Sequence, residues 1–163
     1  MSFRQALSSF WSNYTNFKGR TPRSGYWWVA LFLILISLVL FVVDLQAFSA
    51  IWPADLLAQG LGPLSILFIL VVFLPNFTLT VRRLHDTGRS GWWLLFPLLP
   101  TAVLGLTIPR EIPADGLTTF GDLGLVSQIL SIAGTVGLVV VFIFYLQKSQ
   151  PGENKYGPNP LGN

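Results

Sequence analysis

If this chain performs chemistry, one stretch has the residues for it. Residues 82–93 read Arg82-Arg83-Leu84-His85-Asp86-Thr87-Gly88-Arg89-Ser90-Gly91-Trp92-Trp93, and they contain the only histidine of the 163 residues. A histidine beside an aspartate has the composition of a general acid–base pair. The spacing argues against that use. Adjacent helical residues point about 100° apart and do not face each other, so a His85–Asp86 dyad would need a non-helical backbone. No serine or cysteine suggests itself as a nucleophile. The chain has no cysteine, and a lone histidine without cysteine makes a poor structural zinc site. No catalytic residue, metal ligand or cofactor is therefore assigned, and His85 and Asp86 are read as a polar cap on a helix end.

The arginines suggest binding instead. Arg20, Arg23, Arg82, Arg83 and Arg89 all fall within a few residues of an apolar boundary. Guanidinium groups grip phosphate bidentately, and the nearest phosphates at a membrane boundary are lipid headgroups. Arg82 and Asp86 stand four apart and are expected to pair on one helix face. The expectation is a single pocket in which these five arginines, with His85 and Asp86, meet an anionic headgroup or an acidic segment. Trp27, Trp28, Trp92 and Trp93 would anchor it at headgroup depth.

The elements that position this stretch follow from charge segregation. Hydrophobic residues make up 52% of the chain and charged residues 10%, against about 25% charged in a soluble domain. Uncharged runs of 20, 26, 20 and 25 residues separate Arg23 from Asp44, Asp55 from Arg82, Arg89 from Arg110, and Asp122 from Lys148. About 20 apolar residues cross a bilayer as a helix. The runs do not alternate as barrel strands would. The expected fold is one all-α membrane domain over residues 1–163, with four transmembrane helices in an antiparallel bundle at about 26–48, 63–81, 91–108 and 123–146. The first run is long for a signal peptide and is read as a retained helix.

Ahead of the first span, Phe3, Leu7, Phe10, Trp11, Tyr14 and Phe17 recur at helical spacing opposite Gln5, Ser8, Ser9, Ser12 and Asn13. Residues 2–18 are expected to form an amphipathic helix lying at the interface. Ser24 and Ser90 stand where N-caps are wanted, and Gly88 where a helix ends. Pro53 and Asp55 could open a short surface helix closed by Gly60. Pro75 should kink the second span, which tolerates this if a neighbour satisfies the freed carbonyl. Pro97 and Pro100 should bend the third. Residues 109–122 form a loop broken by Pro109, Pro113 and Gly116. Ser131, Gly134 and Gly137 offer the fourth span a small-residue packing face. Residues 147–163 are a tail without helical period. Arg23-Ser24-Gly25-Tyr26-Trp27-Trp28 echoes Arg89-Ser90-Gly91-Trp92-Trp93, which suggests two repeated helix pairs related by an axis along the membrane normal.

Orientation follows from the basic residues. Nine of the ten lie before the first span, in the central hairpin or in the tail; the other side holds Arg110 against Asp44, Asp55, Glu111, Asp115 and Asp122. Basic residues collect in the cytoplasm, so both termini and the hairpin should face it. The net charge of +3 sits beside apolar runs, which points to a membrane rather than to nucleic acid.

Three segments together resemble a bacterial inner-membrane family known only as domain of unknown function 805. They are Asn16-Phe17-Lys18-Gly19-Arg20 with Arg23-Ser24-Gly25-Tyr26-Trp27-Trp28, then residues 82–93, then Gly152-Glu153-Asn154-Lys155-Tyr156-Gly157-Pro158-Asn159-Pro160. The resemblance spans nearly the whole chain. It implies a small multi-span inner-membrane protein and supplies no reaction and no catalytic residues. Gly25 departs from it, since the family often has glutamate there.

The functional expectation is a non-enzymatic inner-membrane protein that supports the envelope by binding anionic lipid, a second copy of itself or an envelope protein. The alternative is a transporter or oligomeric channel for a small solute or lipid. No charged residue lies in the middle of a span, which disfavours ion-coupled transport. The topology is directly testable: a reporter fused after Asn163 should be active only in a form that works in the cytoplasm. Activity there of a reporter that matures only outside it would overturn the orientation.

Overall fold

The computed structural model describes residues 1–107 and 124–162, with residues 104–107 as backbone only. The expected loop at 109–122, with Pro109, Pro113, Gly116 and the charges Arg110, Glu111, Asp115 and Asp122, lies outside the described residues, as do the expected limits of two spans at 108 and 123.

The described residues are helical and contain no strand. In order they form α1 (Phe3–Ser12), α2 (Arg23–Phe48), α3 (Ala54–Ala58), α4 (Pro63–Asp86), a 3-10 turn (Gly91–Leu94), α5 (Leu95–Thr107) and α6 (Leu125–Leu146). Three of them, α2, α4 and α6, are long and apolar enough to cross a membrane. Their outward faces expose Ile34, Leu35 and Leu38 on α2, Leu67, Leu70 and Phe73 on α4, and Ile129, Ile132 and Val139 on α6. Such contiguous apolar surface has to meet something other than water. The chain is an integral membrane protein. The expected third span corresponds to the 3-10 turn plus α5, whose 13 residues cover about 20 Å at 1.5 Å per residue. Pro97 accounts for the irregular start: it has no N–H to donate to the carbonyl of Trp93, so the α-ladder cannot be carried back through that residue.

Helix ends follow local chemistry, with two corrections. α1 opens with a capping box: Gln5 N donates to the Ser2 hydroxyl (3.3 Å) and Ser2 N to Gln5 Oε1 (2.8 Å). It stops at Ser12, well short of residue 18. α2 begins at Arg23 behind an extended Pro22, so Ser24 lies inside the first turn and caps nothing. Ser90 does cap, accepting from Trp92 N at 3.4 Å. The two echoing segments are therefore built differently, one as an α-helix start and the other as a 3-10 turn. α4 ends in a Schellman motif at Gly88, φ +76°, where Arg89 N donates to Leu84 O and Gly88 N to His85 O.

Two buried clusters organise the helices. Phe10 and Ala6 of α1 pack with Val29 of α2 and Val72 and Leu79 of α4. Val81, Leu84, Leu94, Val141 and Tyr145 form the second cluster, and Tyr26 packs against both. α1 thus docks on α2 and α4 through Phe10 while leaving Phe3 and Trp11 exposed. Against α5, α6 presents Gly134 and Gly137. A Cβ on Gly137 would sit 2.8 Å from Pro97 N, and one on Gly134 would sit 3.1 Å from Thr101 Cγ2. The small-residue face is a helix-packing surface.

At the far end of α4, Asp44 is buried and accepts from Leu64 N (3.0 Å) and Ser65 N (2.9 Å). The carboxylate of α2 therefore caps the N-terminus of α4, where the helix dipole favours negative charge. Gly62 leaves it room, since a Cβ there would lie 2.3 Å from Asp44 Cγ.

Pro75 cannot donate to the carbonyl four residues back, that of Val71. The Tyr14 hydroxyl donates to it at 2.6 Å. The segment after α1 is thus tied to a gap in the α4 ladder. Tyr14→Phe should cost about 1–3 kcal/mol by stranding this carbonyl. In a Pro75→Ala background, where the helix supplies its own N–H, the same change should cost clearly less. Thermal unfolding of the four proteins of this cycle is the check; equal costs in both backgrounds would remove the link.

Candidate functional site

The polar end of the molecule is built on the last turn of α4, where Arg83 and Asp86 face each other while Arg82 and His85 face other parts of the chain. Arg83 and Asp86 are fully buried. The Asp86 carboxylate accepts from Arg20 Nε at 3.2 Å, from Arg83 Nη1 at 2.5 Å and from the Ser149 hydroxyl at 2.6 Å. The expected Arg82–Asp86 pair does not form. Arg83, three residues before the aspartate, takes its place, and Arg20 arrives from 66 residues earlier. Asp86 thus pairs with two arginines where one was expected.

The remaining donors of these arginines go to main-chain carbonyls. Arg83 Nε and Nη2 donate to Tyr145 O (3.3 and 3.0 Å), and Nη2 also donates to Gln147 O. Helix α6 ends there with carbonyls that have no helical partner. Arg20 donates to Gln150 O (2.5 Å) and Gly152 O (2.7 Å), with a longer bond to Gly157 O (3.3 Å). In return, the tail closes the end of α4. Gln150 N donates to Asp86 O at 2.9 Å and Asn154 Nδ2 to His85 O at 3.0 Å. Each helix end is capped by the chain belonging to the other.

His85 faces away from Asp86, as the helical spacing requires. Its ring stacks on Tyr156 (3.7 Å between centroids, 5° between planes), and Nδ1 lies 3.3 Å from Gly19 O, which makes it the donor nitrogen. Arg89 lies 3.8 Å over the Phe144 ring and donates to Gln147 Oε1 at 2.7 Å. Its partial burial lowers its pKa from the ordinary guanidinium value, and the ring face offers compensating attraction.

The five arginines do not line one pocket. Arg20, Arg83 and Arg89 are committed to the tail and to the end of α6. Arg23 is exposed and lines a groove of about 760 Å³ with Lys148, Trp27, Trp28 and Leu31. Arg82 points to the other side, into a cavity under α1. Trp28, Trp92 and Trp93 are exposed, whereas Trp27 is half-buried edge-on to Phe142. Lys148, Ser149, Gln150, Asn154 and Tyr156 were not singled out by sequence reasoning. Lys148 shows in the sequence only as positive charge of the tail, Ser149 and Gln150 carry no signal, and Asn154 and Tyr156 lie in the third resembling segment, whose glycines and asparagines read as loop. Among the described residues no group of histidine, cysteine, aspartate and glutamate could hold a metal ion.

Comparison with known proteins bears on this arrangement. The family model described as "Protein of unknown function (DUF805)" matches residues 14–158, which includes the Arg20 turn, the end of α4 and the tail. The chain belongs to the DUF805 family. "Inner membrane protein YhaH" of Escherichia coli K12 is 30% identical over 148 residues, covering 91% of this chain and 89% of the relative. "Inner membrane protein YhaI" of the same strain is 28% identical, covering 91% and 88%. "Uncharacterized protein YiiR" is 28% identical, covering 87% and 84%. No solved structure matches. In this DUF805 member the matched region begins and ends on the two strands of chain that clamp Asp86.

Removing one member of a buried ion pair costs about 3–5 kcal/mol because the partners stay charged and dry. Asp86→Asn strands two guanidinium groups and should release the tail. Trypsin should then cleave at Lys148 and Lys155 at least about tenfold faster, while Glu153→Gln, an exposed change, leaves the rate unaltered. Cleavage of Asp86→Asn at the parental rate would show that the tail is held by something else.

Proposed function

We propose that this chain is a non-enzymatic protein of the bacterial inner membrane that binds anionic phospholipid headgroups at its cytoplasmic face and serves the envelope in that way. In this reading it crosses the membrane four times as an antiparallel bundle with both termini in the cytoplasm, and the 3-10 turn with α5 opens the third crossing. The positive-inside distribution of basic residues and the names of the inner-membrane relatives support the location.

The observation that carries the reading is the groove at the start of α2. Arg23 and Lys148 are the cations on it, and neither is spent on a carboxylate of the described residues. Ser24, Ser149 and Asn159 add polar groups, while Trp27, Trp28 and Leu31 form an apolar floor that continues onto the exposed face of α2. Two cations above an aromatic and aliphatic floor match a phosphate above an acyl chain. Each basic residue near an anionic leaflet contributes about 1 kcal/mol, and a shared phosphate adds to that.

Transport is the second reading. It draws on a cavity of about 660 Å³ between α2, α4, α5 and α6, with Asn76 and Thr80 among otherwise apolar walls. Liposome flux with purified protein separates the two. For the lipid reading, the measurement is phospholipid retained through purification in mild detergent, read by native mass spectrometry. Arg23→Gln with Lys148→Gln should reduce retained anionic lipid several-fold in protein of parental thermal stability. Arg23→Lys should fall between, because lysine lacks the bidentate fork. Undiminished retention in the double variant would overturn the proposal.

A further inference from the structure

The cavity under α1 holds a charge that the described residues leave without a counter-ion. Arg82 is 4% exposed, and its Nε and Nη2 have no hydrogen-bond partner among the described residues. Both salt bridges among the described residues belong to Asp86 and leave Arg82 out. The hydroxyl of Thr21, itself 3% exposed, is likewise buried without a partner. Arg82 and Thr21 line the same cavity, of about 720 Å³. A buried guanidinium with no counter-charge is strongly unfavourable, since desolvating an ion costs several kcal/mol unless an opposite charge or full hydrogen bonding offsets it. Arg83, one residue on, shows how this chain satisfies such a group when no ligand is needed.

The rest of the lining describes the ligand. Gln5, Ser9 and Asn13 recur every four residues along α1 and its cap, so the polar stripe of the amphipathic helix faces this cavity. Lys18 adds a cation at an exposed position, and Arg20, whose donors are held by Asp86 and the tail, lies on the same wall. The wall beside Arg82 is fixed in place: Thr21 N donates to Arg82 O at 3.0 Å, and Phe10 anchors α1 in the core behind the stripe. Among the described residues no carboxylate lines the cavity. The volume lies within the range of small-molecule sites and exceeds what a bare phosphate needs. One or two cations with a hydroxyl suit a single phosphate group. Amide and hydroxyl side chains, each able to donate and accept, suit a body that carries hydroxyls.

We propose that the cavity between α1 and the end of α4 is a binding site for a phosphorylated polyol, with Arg82 and Thr21 holding the phosphate and the Gln5–Ser9–Asn13 stripe holding its hydroxyls. The chemistry is shared by a free sugar- or glycerol-phosphate and by the headgroup of a phosphatidylglycerol-type lipid. The site adjoins the Arg23–Lys148 groove across Pro22 and Leu161 but uses different polar groups, and it does not depend on lipid binding there.

An unpaired buried cation also makes a distinctive stability prediction. Removing Arg82 should stabilise the empty protein while abolishing its response to ligand. The experiment compares thermal unfolding of the full chain in neutral detergent with added glycerol 1-phosphate, and in nanodiscs of phosphatidylcholine with and without phosphatidylglycerol. The parent should unfold at higher temperature with one or both ligands. A response to the soluble phosphate alone assigns a free metabolite, to the lipid alone a membrane ligand, and to both the common group. Arg82→Gln should match or exceed the parent's stability without ligand and lose the response, with affinity weakened at least about tenfold for one charge-assisted pair. Thr21→Val should weaken it less. Arg23→Gln should leave the response to glycerol 1-phosphate intact, which keeps this result distinct from the groove. No response in the parent to either ligand, a parental response to glycerol 1-phosphate in Arg82→Gln, or a phosphatidylglycerol response of Arg23→Gln that survives the addition of Arg82→Gln, would overturn the proposal.

Discussion

The structure depends on one carboxylate. Asp86 is fully buried at the end of α4 and gathers Arg20, Arg83 and Ser149 around its two oxygens. Three parts of the chain that are distant in sequence meet there: the turn before α2, the end of α4 and the tail after α6. Two guanidinium groups on one carboxylate leave a buried excess of positive charge. Main-chain carbonyls absorb it, those of Tyr145 and Gln147 on Arg83 and those of Gln150, Gly152 and Gly157 on Arg20. In an apolar setting an unsatisfied carbonyl and an uncompensated cation are each expensive, and each here cancels the other. The ends of α4 and α6 are fixed side by side as a result. Removing the aspartate would leave both arginines and five carbonyls mismatched at once.

The neighbouring arginines gain meaning from that arrangement. Arg83 and Arg20 are structural because their donors are used. Arg23 is open, and Arg82 is closed off yet unused. Generic positive-inside charge would distribute all of them over a wet surface. A completely internal network would satisfy all of them. The mixture, with one buried residue answered and the next unanswered, is what a scaffold with a site beside it looks like.

The same economy appears inside the apolar slab. Pro75 opens the α4 ladder at Val71, and Tyr14 fills it from the segment after α1. Asp44 closes the other end of α4, where Gly62 makes room. Gly137 lets α6 reach the backbone at Pro97. Each of these irregularities coincides with a contact to another part of the chain, so the breaks in the helices are also places where the chain is tied together.

The sequence by itself determined the class of protein, its apolar helices and some of their ends. Runs of uncharged residues specify spans because the bilayer leaves the backbone no partner outside the helix. Gly88, Gly60 and Ser90 stop or start helices through local geometry, and each does so here. The small-residue face at Gly134 and Gly137 was also legible, since close packing needs missing side chains. The need for a partner at the Val71 carbonyl could be stated from Pro75 alone, but not that Tyr14 would supply it. What only the tertiary structure decided was partner choice. The four-residue spacing favoured Arg82 for Asp86, and helix-surface propensities of this kind are worth a few tenths of a kcal/mol. Buried contacts between distant segments outweigh that. Once Arg20 and the tail covered one side of α4, the aspartate and Arg83 were drawn to them, and Arg82 was left facing α1. No local rule could have separated these two adjacent arginines, because the difference between them lies in what the rest of the chain brings to each side of the helix.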